Sequence, residues 1–166
     1  MRNVSLFFSS LFLFSILFVS TQSLTSKLLE PNSALATATS NDRKEQLVYR
    51  EIENYRASKH LPPLCYNSVI SNQARSHSRK MAIARAIDHS GFTIRSAFLR
   101  GTISANLVSE NVASYQGLTN EVQTIVKCWL DSPEHLRNIV GQYTRTGVGV
   151  ASNSDGESYY TQIFVD

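Results

Sequence analysis

The chain has 166 residues and a formal net charge of +3, from 16 Lys and Arg against 13 Asp and Glu. This small excess, spread along the chain, gives no reason to expect nucleic acid as a partner. The densest basic group, Arg75, Arg79 and Lys80, falls on one predicted helix and indicates a solvated helix face. The length allows a signal segment plus one domain of about 125 residues, which is enough to bury a hydrophobic core without disulfides or metal ions.

Residues 1–23 have the order of a secretory signal peptide. Arg2 supplies the positive start, Leu6 to Val19 is almost wholly apolar, and small and polar residues follow. An uncleaved anchor is the alternative, but a spanning helix needs about 20 apolar residues. We therefore expect a secreted, extracellular protein with no stable membrane span.

The next segment, residues 24–41, is rich in Ser, Thr and Ala and is predicted to be a disordered lead-in. The folded domain then covers residues 42–166. Its first helix is expected to start at Asn41 or Asp42, with Asn41 as N-cap. The helix must end before Pro62 and Pro63, which cannot continue it.

A second helix is predicted from Ser68 to Ala86. His77 falls in its apolar stripe, so we expect a packed histidine with a hydrogen-bond partner and not a ligand or a base. Thr93 to Arg100 is predicted as a short helix, and Asn106 to Ser114 as an extended segment around Glu110.

A third long helix is predicted after Asn120, with Gln123 as its capping-box partner. Ser132 and Pro133 indicate another helix start. Two alternating segments, 147–152 and 158–165, flank an Asp-Gly turn signal and predict a final hairpin. Helices first and a hairpin last favour an α+β domain with helices packed on an antiparallel sheet.

The chain has two cysteines, Cys65 and Cys128. In an oxidising compartment an even pair is a candidate disulfide, and two buried thiols are the alternative. Cys128 is predicted to lie away from the apolar stripe of its helix, which favours the disulfide. The pair can form only if the two Cα atoms lie within about 7 Å of each other.

A set of motifs follows in fixed order along the chain, over about Gln46 to Phe164. The motifs are Ile52-x-x-Tyr55-Arg56, Leu61-Pro62-Pro63-Leu64, Ala74-x-x-His77-Ser78-x-x-Met81-Ala82, His89-Ser90-Gly91-Phe92, Glu110-Asn111-Val112-Ala113, Trp129-Leu130-x-Ser132-Pro133-x-His135-x-x-Asn138-Ile139, Gly147-Val148-Gly149-Val150-Ala151 and Tyr159-Tyr160-Thr161-Gln162-Ile163-Phe164. In this order they resemble the CAP superfamily, the cysteine-rich secretory, antigen 5 and pathogenesis-related 1 proteins. The forms of the later motifs resemble its short bacterial-type branch. The resemblance implies a three-layer α-β-α sandwich with a small antiparallel sheet.

The resemblance also implies a cleft lined by two histidines and two acidic residues. His89 matches the first histidine and Glu110 matches the glutamate that precedes an asparagine. The eukaryotic branch has a glutamate and a second histidine where this chain has Ser132 and Tyr159. The bacterial-type branch instead offers His135 as the second histidine, with Glu134 as a weaker candidate for the second acid.

Three interpretations of these cleft residues remain open. Two imidazoles and a carboxylate can bind Zn²⁺ or another divalent metal. A metal-bound water with Glu110 as base would allow catalysis. The same side chains can instead form a hydrogen-bonded cluster that stiffens the cleft.

The resemblance suggests a non-catalytic binding module for a lipid or sterol, a peptide or an extracellular protein, in defence or host–microbe contact. The alternative is a metal-dependent hydrolase, a peptidase that uses His89, Glu110 and His135. No nucleophile motif, zinc-protease motif or phosphate loop is present in the sequence. We expect a monomer.

Overall fold

The first helix begins earlier than predicted. The computed structural model describes residues 31–117 and 119–166, with side chains from residue 40 onward. Helix α1 spans Pro31–Ser58 and so starts ahead of Asn41. Pro31 suits a first helical turn, and the alanines that follow are strong helix formers, which outweighs the low-complexity signal. The predicted signal at residues 1–23 and the start of the lead-in lie outside the described residues, and the division of the chain into signal, lead-in and domain stays a prediction.

The compact unit Leu35–Asp166 contains the elements that position the site. The other unit, Met1–Ala34, lies almost wholly outside the described residues. After α1 the chain forms β1 (Cys65–Tyr66), α2 (Ser68–Ala84), α3 (Phe92–Ile103), β2 (Val108–Tyr115), α4 (Glu121–Asp131), α5 (Pro133–Ile139), β3 (Arg145–Ser152) and β4 (Ser158–Val165).

The four strands lie in the order β1-β3-β4-β2. The predicted hairpin of β3 and β4 is antiparallel, and β2 pairs antiparallel with β4 along its whole length. The sheet is not wholly antiparallel, however, because the short strand β1 pairs in parallel with β3, with Cys65 opposite Arg145. Strand β2 therefore forms one edge of the sheet.

Helices cover both faces of the sheet. Alternate residues of β4 point to opposite faces, so this strand contributes side chains to a core on each side. Tyr160 and Phe164 pack in one core with Val48 of α1 and Trp129 of α4. On the other face, Ile163 packs with residues of α2 and α3 such as Ile70 and Leu99. Burying a side chain of this size contributes about 1.5–3 kcal/mol. The expected three-layer α-β-α sandwich is confirmed.

Two glycines of β3 let α2 lie close to the sheet. A Cβ atom on Gly147 would come within 2.3 Å of the Ser71 backbone nitrogen, and one on Gly149 within 2.1 Å of the Arg75 nitrogen. Such contacts are far inside van der Waals distance, so only glycine fits at either position. The Gly-Val-Gly-Val pattern thus sets the distance between the helix and the sheet.

The predicted N-caps at Asn120 and Ser132 form no capping hydrogen bond, whereas α2 has a cap that was not predicted. Asn67 caps α2, where its side chain accepts hydrogen bonds from the backbone nitrogens of Val69 and Ile70. Asn120 precedes α4 but has a left-handed backbone, with φ at 55°, and its side chain makes no capping bond. An N-cap side chain can reach the first turn only from an extended backbone, so the capping box with Gln123 does not form. Ser132 has the extended backbone, but its side chain makes no capping bond either.

The candidate disulfide is not formed. Both Cys65 and Cys128 are free thiols, and both are exposed. Cys65 lies in the edge strand β1, and Cys128 lies outside the buried stripe of α4, as predicted, where it meets solvent and no second sulfur. The alternative of two buried thiols is wrong as well.

None of the helices in the described part of the chain is long and apolar enough to cross a membrane.

Candidate functional site

Strand β2 places the carboxylate of Glu110 inside the layer formed by α2 and α3. Its neighbours at two-residue spacing, Val108 and Val112, both pack in clusters on that side of the sheet. Because side chains of a strand alternate, Glu110 points the same way. The side chain is 1% exposed. A carboxylate so deeply buried needs partners to be stable.

Arg95 of α3 supplies the main partner. Its Nε lies 3.0 Å from Glu110 Oε2, and its Nη2 lies 2.8 Å from Oε1. The third nitrogen, Nη1, donates to the carbonyl oxygen of Ser90 at 2.7 Å. This bidentate geometry is the strong form of an ion pair, since the two N–H bonds match the two carboxylate oxygens. Arg95 is itself buried.

His89 binds the same carboxylate from the solvent side. Its Nδ1 donates to Glu110 Oε1 at 2.9 Å, and its side chain is 55% exposed. Oε1 thus accepts from both Arg95 and His89. Since the hydrogen bond uses Nδ1, the other ring nitrogen of a neutral imidazole is left as an acceptor.

His77 of α2 lies behind the ion pair, 1% exposed, with Nε2 at 3.8 Å from Glu110 Oε1. Its Nε2 donates to the carbonyl oxygen of Asp88 at 2.8 Å, which confirms the predicted packed histidine. Burial lowers the pKa of His77, although the charges of Glu110 and Asp88 act in the opposite direction. The neutral ring leaves Nδ1 buried without a partner.

His135 of α5 lies within electrostatic range of His89. Burial lowers the pKa of His135, and the charge of His89 lowers it further. Its Nδ1 is buried and has no hydrogen-bond partner. Glu134 is exposed in the first turn of α5 and forms no hydrogen bond or ion pair with any residue that the structure describes. The structure thus brings His89, Glu110 and His135 to one region and leaves Glu134 at its rim.

Two asparagines fasten β2 to α5. Asn138 donates to Asn111 Oδ1 at 2.8 Å and to the carbonyl oxygen of Glu110 at 3.3 Å. Asn111 in turn donates to the carbonyl oxygen of His135 at 3.1 Å. The bond to the Glu110 carbonyl oxygen occupies one backbone acceptor of the edge strand β2, which otherwise would be open to pairing with another chain.

A shallow groove of about 270 Å³ opens beside this cluster. Its walls are His89, Phe92, Val108, Ser109 and Glu110. The groove is therefore lined both by apolar side chains and by the exposed imidazole of His89.

A family model, the cysteine-rich secretory protein family or CAP, matches residues 49–164, which include the whole site. The chain belongs to the CAP family. It is a bacterial-type member, as the motifs predicted.

Relatives support this assignment. The uncharacterised protein YkwD of Bacillus subtilis is 30% identical over 138 residues, which cover 81% of this chain and 51% of YkwD. A solved extracellular SCP-domain protein of Bacillus anthracis is 26% identical, with a TM-score of 0.63, over 75% of this chain and 41% of that one. An outer surface protein of Borrelia burgdorferi shares the fold with a TM-score of 0.63 at 22% identity, over 73% of this chain and 90% of that one. The CAP chain thus spans about half the length of YkwD.

The cleft of this CAP domain does not fit a three-ligand metal centre, which was one of the three interpretations left open by the sequence. Within the described ranges no group of three or more His, Cys, Asp or Glu side chains could hold a metal ion. Both oxygens of Glu110 are bound by Arg95, and a cation at Oε1 would lie beside the guanidinium charge. Only the imidazoles of His89 and His135 remain as donors.

The candidate site predicted from the sequence did not include Arg95, which binds both carboxylate oxygens of Glu110. A signal was present in the sequence, since Arg95 shares a helix face with Leu99 and Ile103. An arginine on an apolar helix face must either reach solvent along its stem or find a buried anion. Glu110, in a strand between Val108 and Val112, was the candidate anion.

Proposed function

We propose that this CAP domain is a secreted, non-catalytic binding module whose cleft cluster is a scaffold for a ligand groove. The main support for this proposal is the bidentate ion pair between Arg95 and Glu110. A general base must be able to take a proton from a substrate or a water molecule. Glu110 is 1% exposed, and its oxygens already accept from Arg95 and His89, so it is suited to orient His89 and not to move protons.

The groove favours a peptide segment or a protein loop as the ligand. Pockets that enclose a drug-sized molecule measure about 300–1,000 Å³, and this groove of about 270 Å³ is smaller and open. A sterol would therefore stay largely in solvent. An apolar side chain of a peptide can instead contact Phe92 and Val108, while a peptide donor group reaches the free ring nitrogen of His89.

The extracellular setting rests on the predicted signal at residues 1–23 and on relatives described as extracellular or outer-surface proteins. A role in defence or host–microbe contact is the setting that the family resemblance suggests. Because the chain spans about half of YkwD, any partner of a longer protein is part of the proposal.

The first test separates the scaffold from a metallohydrolase. Zinc is titrated into metal-free protein by calorimetry, beside the variants His89→Ala and Glu110→Gln, and the same samples are assayed on a quenched-fluorescent peptide library with and without chelator. We expect no turnover and no zinc binding that depends on Glu110. Chelator-sensitive turnover that is abolished in Glu110→Gln with unchanged melting would make the protein a hydrolase.

The second test addresses the groove. Peptides are selected from a phage-displayed random library, synthesised, and titrated into wild type, His89→Ala and the control His60→Ala, which removes an exposed histidine outside the groove. Loss of one polar contact should weaken binding about ten-fold in His89→Ala and leave His60→Ala unchanged. Equal affinity for all three proteins, or no selected peptide, would contradict peptide binding in the groove.

A further inference from the structure

Charge is unevenly divided along the folded chain, contrary to the even spread assumed from the sequence. Residues 67–107, which include α2 and α3, contain six Arg and Lys and a single acid, Asp88. Residues 108–166 contain seven Asp and Glu and only three Arg and Lys. The segment that forms α2 and α3 therefore has a clear excess of positive charge.

Three of these six cations already have acidic partners. Arg75 pairs with Glu45, Arg85 with Asp155, and Arg95 with Glu110. The other three are Arg79, Lys80 and Arg100. All three are exposed, and none forms a salt bridge with a described residue. Their charges are free to meet an external anion.

The same segment contains most of the exposed large apolar side chains. Among the described residues these are Ile83, Ile87, Ile94, Phe98, Leu107 and Val140, and only Val140 lies outside residues 67–107. Ile83 is 84% exposed and Ile94 is 77% exposed. Single exposed apolar residues are ordinary, but a concentration of them in one layer marks an interaction surface.

Helix periodicity places Ile83 on the outward side of α2, and Ile94 and Phe98 on the outward side of α3. The buried residues of α2 include Ala74, His77 and Met81. At 100° per residue, Ile83 lies opposite that stripe, with Arg79 four and Lys80 three residues earlier on the same side.

In α3, Ile94 and Phe98 are one turn apart, and both lie away from the buried Arg95 and Leu99. Because both helices pack on the same face of the sheet, their outward sides belong to one layer surface.

We propose that this outward face of α2 and α3 docks on the surface of an anionic lipid bilayer. Protruding Ile and Phe side chains flanked by Arg and Lys are the pattern of interfacial binding, in which apolar groups enter the headgroup region and cations meet anionic lipid. Lysine is depleted in protein–protein interfaces, so Lys80 beside Ile83 favours a bilayer over a protein partner. The proposal is independent of the groove at His89.

The test is cosedimentation of the full chain with vesicles of phosphatidylcholine alone or with 30% phosphatidylserine, at low and high salt. We expect binding only to the anionic vesicles, and loss of that binding at high salt. Each cation near the surface should contribute about five-fold in affinity, so Arg79→Gln/Lys80→Gln/Arg100→Gln should weaken binding about 100-fold. Ile94→Ser/Phe98→Ser should weaken it about ten-fold or more.

The matched control is Arg43→Gln/Arg50→Gln/Arg137→Gln, which removes the same charge from exposed positions on α1 and α5, in the opposite layer. Circular dichroism and melting of each variant establish that it folds.

If both triple variants lose vesicle binding equally, the binding depends on net charge alone, and the proposed docking face is wrong. Binding to heparin but not to anionic vesicles, or equal binding to neutral vesicles, would also overturn the proposal. Peptide binding in the groove should be unchanged in all of these variants, so the two proposals can fail separately.

Discussion

Arg95 binds both carboxylate oxygens of Glu110, at 2.8 and 3.0 Å, and so joins α3 to the edge strand β2 inside the domain. The pair is buried on both sides. A buried ion pair adds little net stability over an apolar replacement, but removing one partner leaves an uncompensated charge. The pair therefore fixes the position of α3 relative to β2. Removing one partner leaves the other charge buried without a counter-charge, which destabilises the fold.

Replacing either partner should destabilise the fold strongly. In Glu110→Gln the guanidinium of Arg95 stays buried without its anion, and in Arg95→Met the carboxylate stays buried without its cation. We expect each variant to lose about 3–5 kcal/mol of the free energy of unfolding, measured by urea denaturation. The double variant Arg95→Met/Glu110→Gln removes both charges and should lose less than the sum of the two single losses. Additive losses would show that the two residues do not act as a pair.

Much of the fold follows from local patterns that need no knowledge of distant contacts. The hairpin of β3 and β4 is predicted by alternation and by the Asp155-Gly156 turn, because strand period and turn chemistry are both local. The extended segment around Glu110 and the packing of His77 follow in the same way. The strand β1 could not be predicted, since two residues that pair in parallel with β3 have no local pattern.

The site was only half predictable for a related reason. Motif resemblance selects His89, Glu110 and His135, but it does not show what else contacts them. Arg95 comes from another element, and only the packing of α3 against β2 brings it to Glu110. The cap at Asn120 failed likewise, because residue type suggested a capping bond that its left-handed backbone forbids.

Two glycine substitutions should have opposite effects on stability, because Gly149 lies where α2 approaches β3 closely and Gly101 lies in open space. Gly149→Ala would place a Cβ atom 2.1 Å from the Arg75 backbone nitrogen, so helix or strand must move, and we expect a loss of at least about 3 kcal/mol. Gly101→Ala lies in α3 with nothing within 4 Å of the new methyl group, and it should gain about 0.5–1 kcal/mol. Urea denaturation of both variants checks the pair. A loss below about 1 kcal/mol for Gly149→Ala would contradict the contact.

The two free thiols predict reactivity without unfolding. Cys65 and Cys128 are both exposed, so a thiol reagent such as Ellman's reagent should modify both in the native protein. Because no covalent bond joins them, Cys65→Ser/Cys128→Ser should melt within a few degrees of wild type. A native protein that reacts only after reduction, and melts much lower once reduced, would establish the disulfide after all.

His77 predicts a loss of stability in mild acid. Burial lowers its pKa in the folded protein below the ordinary value of about 6.5, more than Glu110 and Asp88 raise it, and Arg95 lowers it further. As the pH falls below about 6.5, the unfolded chain therefore binds a proton before the folded one does, and stability falls until the pH reaches the folded pKa. This group can add at most about 1.4 kcal/mol per pH unit to the slope in this range. His77→Gln keeps a nitrogen donor for the Asp88 carbonyl but cannot titrate, so its slope should be smaller than that of wild type, whereas the exposed control His60→Gln should keep the wild-type slope. Urea denaturation between pH 7.5 and 4.5, at intervals of about half a unit, measures all three slopes, and equal slopes for wild type and His77→Gln would place the acid sensitivity at other groups.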